Sequence, residues 1–389
     1  MSSSTSRARG PLAGLRIVEI AGIGPGPFAG MLLADMGAEV IRVDRPGGGL
    51  FGNERTELDF LNRGKRAFCA DLKNPDGVEV VLQLAATADG LLEGFRPGVA
   101  EKLGIGPDIC LQRNQRLVYG RMTGWGQDGP LARRAGHDIN YIAIAGALHP
   151  IGRQGEKPTL PLNLVGDFGG GGMLLAFGMV CALLEARVSG RGQVVDAAMV
   201  DGAALLMTSI FAAAQSGFWS EQRGSNLLDG GAPFYDVYAT SDGKYVAVGA
   251  IEPQFFRTLL EGLGMPEEAE AQYDSAGWPR LRARFEQAFA ARTRDEWTAL
   301  FADSDACVSP VLAMNEAREH PHNRARAGFV EREGVWQPRP APRFGRTDGG
   351  DPAPAVPRGR DTLALLAELD MPAAEQQRLL ASAAVVAAE

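Results

Sequence analysis

The alternation of short apolar runs with helical patterns over the first 120 residues most constrains the fold of this chain. Residues 15–20 and 39–43 have the apolar, β-branched composition of strands, and a Gly/Pro turn with an apolar helix over 28–36 separates them. The pattern continues with a helix over 71–86 and short strands over 90–92 and 117–120. Strands that alternate with helices favour a parallel sheet with crossover helices, so we expect an open α/β domain here.

The second half of the chain predicts a smaller α+β unit. Two alternating runs around Asp242-Gly243 predict a β-hairpin over 235–248, since Asp-Gly favours the tight turn of a hairpin. Helical patterns are predicted before and after it, over 173–187, 197–216, 253–263 and 278–301, with a short strand over 192–195. The segment 337–357 is rich in Pro, Gly and Arg and predicts an extended arm, followed by a last helix over 362–369.

Composition excludes several classes of protein. The net charge of −8 and pI near 5.3 argue against a nucleic-acid surface, which needs concentrated positive charge. The four cysteines form no C-x-x-C pair, so we expect no metal site and reduced thiols. The first residues lack the apolar stretch of a secretory leader, no uncharged apolar run reaches about 18 residues, and the last residues are not Ser-Lys-Leu, so we expect neither a leader, a membrane span nor a peroxisomal signal. We therefore expect a soluble cytoplasmic enzyme with no membrane partner.

A glycine cluster between residues 22 and 30 invites comparison with a dinucleotide-binding loop. Its sequence, Gly-Ile-Gly-Pro-Gly-Pro-Phe-Ala-Gly, departs from the G-x-G-x-x-G template. Pro25 and Pro27 also lack the amide hydrogens that a pyrophosphate would need. We interpret the glycines as residues of a tight strand-to-helix turn and expect no NAD.

Two arginines follow predicted strands. Arg45 follows the strand over 39–43, and Arg96 follows the strand over 90–92. Open α/β sheets bind their ligands at the carboxyl ends of the strands, and arginine suits phosphate. Either side chain alone could be merely solvated, but together they indicate an anion site.

Three further residues are candidates for chemistry, each with a simpler alternative. His137 suits acid/base catalysis, because imidazole titrates near neutral pH, or it is a hydrogen-bonded structural histidine. Asp167 precedes Gly169–Gly172 and an apolar helix. It could be a helix N-cap, but the four glycines suggest backbone amides that face a ligand and stabilise an oxyanion. Glu252 could likewise be functional or an N-cap.

Four segments together resemble the class III CoA-transferase superfamily and, within it, the 2-methylacyl-CoA racemases. They are Arg121-Met-Thr-Gly-Trp-Gly126, Gly136-His-Asp-Ile-Asn-Tyr141, Gly166-Asp-Phe-Gly-Gly-Gly171 and Gly249-Ala-Ile-Glu-Pro-Gln-Phe255. The resemblance extends from Pro11 to Phe344. It implies a large Rossmann-like α/β domain and a small α+β domain in an interlocked homodimer, with the active site between subunits. The implied boundaries are 1–197 and 335–389 for the large domain, 198–227 and 312–334 for linkers, and 228–311 for the small domain.

The resemblance also implies the roles of individual residues. His137 and Asp167 match two acid/base positions that invert C2 of an acyl-CoA thioester through an enolate, and Glu252 matches a glutamate that orients the histidine from the partner chain. No cofactor is required, because CoA is part of the substrate. The residues that match CoA-binding positions are Arg45, Ala70, Asp71, Leu72, Lys73, Gly94, Phe95, Arg96, Lys102, Gly136, Ile139, Asn140 and Tyr141. Lys102 replaces an arginine, which keeps the charge but loses the bidentate grip on phosphate.

Two other functions remain open from the sequence. Asp138 matches the position at which CoA-transferases of the superfamily use an aspartate to attack the thioester and form an anhydride. A non-catalytic CoA- or NAD-binding regulator would need Arg45 and Arg96 but not His137. His137 together with Gly166-Asp167-Phe168-Gly169 favours the racemase. The sequence does not predict which acyl group is preferred.

Overall fold

The computed structural model describes residues 9–48, 55–332 and 334–388. The chain divides into two compact units. The first consists of Met1–Ala145, Leu162–Leu206 and Ala325–Glu389, and the second of Gly146–Pro161 and Met207–Arg324. The second unit thus includes 146–161, a segment inside the range expected for the large domain.

A parallel sheet of six strands forms the centre of the first unit. The strands are β1 (Arg16–Ile20), β2 (Glu39–Asp44), β3 (Arg66–Cys69), β4 (Gly90–Glu93), β5 (Val118–Thr123) and β6 (Val194–Ala198). Their order is β3-β2-β1-β4-β5-β6, and every neighbouring pair is parallel. This is the strand order of doubly wound nucleotide-binding folds. The expected α/β class with a parallel sheet is confirmed.

Helices cover both faces of this sheet. They are α1 (Pro25–Asp35), α2 (Pro75–Ala86), α3 (Val99–Lys102), α4 (Pro107–Arg113), α5 (Asp138–Ile144), α6 (Leu174–Ser189) and α7 (Met199–Leu206). On one face Val18 of β1 shares a core with helix α2, and on the other Ile17 shares a core with helices α1 and α6. Successive residues of β1 point to opposite faces of the sheet, so cover by helices on both faces favours apolar residues at consecutive positions, as at Ile17 and Val18.

Helix α6 continues a π-helix over Leu164–Met173. The combined segment Leu164–Ser189 is, among the described residues, the one helix long and apolar enough to cross a membrane, with a mean hydropathy of 1.6 in its most apolar window. That test is weak evidence, since the core helix of a soluble protein also passes it. Here 44% of the window is buried, and Leu175 and Met179 lie in the core of the first unit.

The second unit is a three-stranded antiparallel sheet with helices. It contains α8 (Thr208–Gln215), β7 (Tyr235–Ala239), β8 (Tyr245–Gly249), α9 (Pro253–Leu263), α10 (Trp278–Phe289), α11 (Arg294–Phe301), β9 (Val308–Pro310), α12 (Met314–Ala317) and α13 (Pro321–Ala325). The predicted hairpin is present, with Tyr235 opposite Gly249 and Gly243 in the turn at φ 72°.

Two long helical predictions are wrong in detail. The stretch 197–216 is two helices, α7 and α8, separated at Met207, and the stretch 278–301 is also two, α10 and α11. Thr293 begins α11 by accepting a hydrogen bond from the amide of Glu296, whose carboxylate accepts one from the amide of Thr293. This capping box favours a new helix start at that point.

The chain returns to the first unit through a short hairpin and two helices. These are β10 (Phe329–Arg332), β11 (Val335–Pro338), α14 (Thr362–Glu368) and α15 (Ala373–Ala381). Between β11 and α14 the chain has no helix or strand, in line with the expected arm. The tail then pairs with the end of the sheet, where Val385 bridges to Ala70. Strand β3 and helices α5 and α15 had not been predicted.

Candidate active site

His137 lies at the start of helix α5, in the connection that follows strand β5. It is the N-cap residue, with extended backbone at φ −136° and ψ 173°, and its side chain is exposed. Its amide donates a hydrogen bond to Oδ1 of Asn140 at 3.0 Å. The backbone of His137 is therefore fixed by the first turn of α5 while its imidazole is accessible.

The next residue, Asp138, connects helix α5 to the π-helix. Its Oδ2 accepts hydrogen bonds from the amides of Gly166 and Asp167, both at 2.7 Å. The residue is only 6% exposed, and Oδ1 is buried without a hydrogen-bond partner among the described residues. A Cβ atom at position 166 would lie 2.5 Å from Oδ2, so the contact requires glycine there. Asp138 thus fixes the peptide that precedes Asp167.

Asp167 is half-buried within the π-helix and is not the N-cap of a helix. Nδ2 of Asn163 donates to its Oδ2 at 3.1 Å. Burial raises the pKa of the Asp167 carboxyl, and the hydrogen bond from Asn163 opposes this rise. The charge of Asp138 raises the pKa further, whereas the charge of His137 lowers it. The structure therefore brings His137, Asp138 and Asp167 together in one electrostatic environment.

The glycines after Asp167 allow two helices to pack closely against the π-helix. Gly170, Gly171 and Gly172 are buried. A Cβ atom at Gly170 would lie 2.6 Å from the amide nitrogen of Ala203 in helix α7, and one at Gly172 would lie 2.8 Å from the carbonyl oxygen of Pro25 in helix α1. Close packing against two helices therefore accounts for these glycines, and the expectation that their amides face a ligand stays a prediction.

Tyr141 of helix α5 senses the charges of both Asp167 and Arg96. Its hydroxyl donates a hydrogen bond to the carbonyl of Gly136 at 2.5 Å. Its ring packs edge-on against that of Trp125, with the ring centroids 4.8 Å apart. Burial raises the pKa of the Tyr141 hydroxyl, the charge of Asp167 raises it further, and the charge of Arg96 opposes the rise. Both Arg96 and Asp167 are therefore close to this ring.

The residues predicted to bind CoA lie after strands of the parallel sheet or in helices α3 and α5. Arg45 directly follows β2, Ala70, Asp71, Leu72 and Lys73 follow β3, Gly94, Phe95 and Arg96 follow β4, Lys102 ends α3, and Gly136, Ile139, Asn140 and Tyr141 surround the start of α5. The side chains of Arg45, Lys73, Arg96 and Lys102 are exposed. Positive charge is thus available along the carboxyl edge of the sheet, where such folds bind ligands.

A buried charge cluster that the sequence did not predict supports the loop after β4. Glu93, the last residue of β4, is fully buried, and its Oε2 accepts a hydrogen bond from the amide of Phe95 at 2.6 Å. Arg121 of β5 contacts Glu93 at 3.3 Å and Glu101 at 2.9 Å. Burial raises the pKa of Glu93 to about 7, although the Phe95 amide and Arg121 oppose the rise.

Glu252 belongs to the second unit, where it is the exposed N-cap residue of helix α9. Its charge raises the pKa of the Cys307 thiol, although burial of the thiol is the larger cause. The expected role of Glu252 toward His137 stays a prediction.

Comparison with known proteins identifies the family. The profile of CoA-transferase family III matches residues 12–362, nearly the whole chain. The chain belongs to CoA-transferase family III. Two similar proteins are alpha-methylacyl-CoA racemases. The one from Mus musculus is 51% identical over 90% of this chain and 89% of its own length. The one from Homo sapiens is 47% identical over 89% of this chain and 88% of its own length.

A solved structure from the family supports the architecture. A CAIB/BAIF family protein from Brucella suis has a TM-score of 0.80 to this chain at 27% identity, and the match covers 93% of this chain and all of the other. The fold of this chain is therefore shared with a solved structure that is only 27% identical to it in sequence.

Proposed function

We propose that this family III protein is a 2-methylacyl-CoA racemase, an isomerase that inverts C2 of its thioester substrate by proton transfer. The observation that supports this most directly is the pair of hydrogen bonds that Oδ2 of Asp138 accepts from the backbone amides of Gly166 and Asp167. It joins the segment that holds His137 to the segment that holds Asp167. An imidazole and a carboxylate held in this way are suited to act on one carbon.

In each turnover one of the two side chains removes a proton from C2 and the other donates a proton to it. In one direction neutral His137 removes the proton from C2, and protonated Asp167 returns a proton to the opposite face; in the other direction carboxylate and imidazolium exchange these roles. Burial raises the pKa of the Asp167 carboxyl above its ordinary value, so this group takes up a proton more readily than an exposed aspartate does. The enolate between the two steps is planar at C2, so a proton lost from one face and gained on the opposite face inverts the centre.

The carboxylate of Asp138 has no oxygen that is both accessible and free of hydrogen bonds for the nucleophilic attack that the rival CoA-transfer reaction requires. A nucleophilic carboxylate must present a free oxygen to the thioester carbonyl. Oδ2 of Asp138 already accepts two amide hydrogens, and Oδ1 is enclosed by protein. The geometry therefore favours a positioning role for Asp138 and disfavours an acyl-aspartyl anhydride.

The remaining parts of the proposal follow the resemblance. The enzyme acts as a cytoplasmic homodimer in which Glu252 of one subunit orients the histidine of the other. It needs no cofactor, and CoA binds along the carboxyl edge of the parallel sheet. Arg96 supports this placement, since its charge acts on Tyr141, as does that of Asp167.

The test is to incubate the protein with one pure enantiomer of a 2-methylacyl-CoA in deuterated water. We expect deuterium at C2 together with loss of optical purity. An added free carboxylic acid provides the control for the rival reaction. Transfer of CoA to that acid, without deuterium exchange, would contradict the proposal.

A further inference from the structure

Arg358, in the arm before helix α14, lies close to Gly48 in the loop that follows strand β2. Its Nη1 is 3.8 Å from the position that a Cβ atom of Gly48 would take. Arg45 contacts the same glycine, with Nε donating to the carbonyl of Gly48 at 2.8 Å. The two guanidinium groups therefore share one short loop that follows β2.

The charge of Arg358 acts on the last residues of both strands. Burial raises the pKa of Asp44, which ends β2, and Arg42 and then Arg358 oppose the rise. Burial also raises the pKa of the Cys69 thiol, which ends β3, to about 11, with Asp44 adding to the rise and Arg358 opposing it. Asp44 and Cys69 directly precede Arg45 and the segment 70–73, the two places where the resemblance puts CoA, so the charge of Arg358 acts close to both.

Arg358 is half-buried, and within the described ranges it makes no hydrogen bond or ion pair. Asp44 does not serve as its partner, because Nε of Arg42 already binds both oxygens of Asp44, at 3.0 and 2.9 Å. Arg360 differs: it is exposed and its Nη2 binds Asp361 at 2.9 Å. A partly desolvated guanidinium without a partner is costly, and an anionic ligand would satisfy it.

The backbone that holds Arg358 is fixed to the sheet. Asp361 accepts a hydrogen bond from the amide of Ala67 in β3 at 2.8 Å, and its own amide donates to the carbonyl of Ala67 at 3.0 Å. The carbonyl of Gly359 accepts a hydrogen bond from the amide of Ala388 at 3.1 Å. Arg358 is therefore presented by an anchored segment, which lowers the entropy lost when it binds a ligand.

We propose that Arg358, together with Arg45, binds the phosphate monoester on the ribose of coenzyme A. This inference rests on the proposed acyl-CoA substrate. In sheets of this strand order the residue after β2 lies beside the ribose of a bound nucleotide, and arginine there accommodates a ribose phosphate. A phosphate monoester is close to a dianion at neutral pH, so two arginines match its charge.

The test compares the binding of CoA and 3′-dephospho-CoA by calorimetry in the wild type and in single variants. Arg358→Ala should weaken CoA binding about tenfold to a hundredfold, as expected for the loss of a charge-assisted hydrogen bond, and leave 3′-dephospho-CoA binding unchanged. Arg358→Gln, which keeps most of the side-chain length, should behave like Arg358→Ala if the alanine variant is unstable. Arg360→Ala is the matched control and should bind both ligands as the wild type does.

The outcomes separate this inference from the proposed function. Equal weakening of both ligands, or no weakening of either, in Arg358→Ala and Arg358→Gln would overturn the role of Arg358. Racemisation by the wild type in that case would leave the proposed function standing. Conversely, selective loss of CoA binding in a protein that does not racemise would support the phosphate site and contradict the racemase.

Discussion

Replacing Asp138 separates a positioning role from a chemical one. Alanine at this position would remove the acceptor for two amides, that of buried Gly166 and that of half-buried Asp167. Hydrogen bonds to charged groups contribute roughly 1.5–3 kcal/mol each, and shared acceptors are not additive, so we expect a loss of about 2–4 kcal/mol in the free energy of unfolding. Asparagine keeps an oxygen that can accept both hydrogens, and the expected loss is about 1 kcal/mol.

The activities of the two variants should follow the same order. Asp138→Asn should still racemise one pure enantiomer, with a rate within about tenfold of the wild type because Asp167 stays in place. Asp138→Ala should be far slower. Chiral chromatography measures the rates, urea unfolding measures stability, and exposed Asp128→Asn serves as the control. If Asp138→Asn unfolds like the wild type but has no activity, Asp138 has a chemical role and the positioning argument is refuted.

Three further predictions concern other parts of the first unit. The pKa of Glu93 is raised above its unfolded value of 4.5 to about 7, so between these values the folded state binds more protons than the unfolded state. The stability of the protein should therefore fall as pH rises through that window, and Glu93→Gln should flatten this dependence. Denaturant unfolding at several pH values measures the slope, and an unchanged slope in the variant would refute the prediction. Gly170→Ala should destabilise the protein by about 1–3 kcal/mol because its Cβ would collide with the backbone of helix α7, whereas Gly26→Ala, with open space at its Cβ, should change little in the same unfolding assay. Because the pKa of Asp167 is raised, kcat/KM in the direction that uses its carboxylate as the base should fall on acidification at a pH above the ordinary aspartate value of 3.8; a fall only below it would contradict this.

Most of the sheet could be predicted because strands such as β1 and β4 are buried and contain consecutive apolar residues. Strand β3 could not, since it is only four residues long and follows Lys65, which the sequence presents as a surface charge. In the structure Lys65 is buried and pairs with the equally buried Glu19 at 2.7 Å. A pairing between residues so far apart along the chain has no local signature, so the strand was missed.

The candidate site was predictable in its residues but not in its contacts. Motif resemblance selected His137, Asp138 and Asp167, and the structure places them together. The resemblance offered Asp138 as the nucleophile of a rival transferase, whereas the structure shows its carboxylate bound to backbone amides. The glycines after Asp167 suggested an oxyanion site, yet they permit close packing of helices. Local composition cannot distinguish a glycine that faces a ligand from one that faces a neighbouring helix.

The central claim is that His137 and Asp167 act on opposite faces of one carbon. The most direct measurement is exchange of the C2 proton for deuterium, followed by NMR, with each pure enantiomer and the variants His137→Asn and Asp167→Asn. We expect neither variant to racemise, and each to exchange the proton of only one enantiomer, a different one in each case. Racemisation by either variant at the wild-type rate, or exchange of the same enantiomer by both, would contradict the claim.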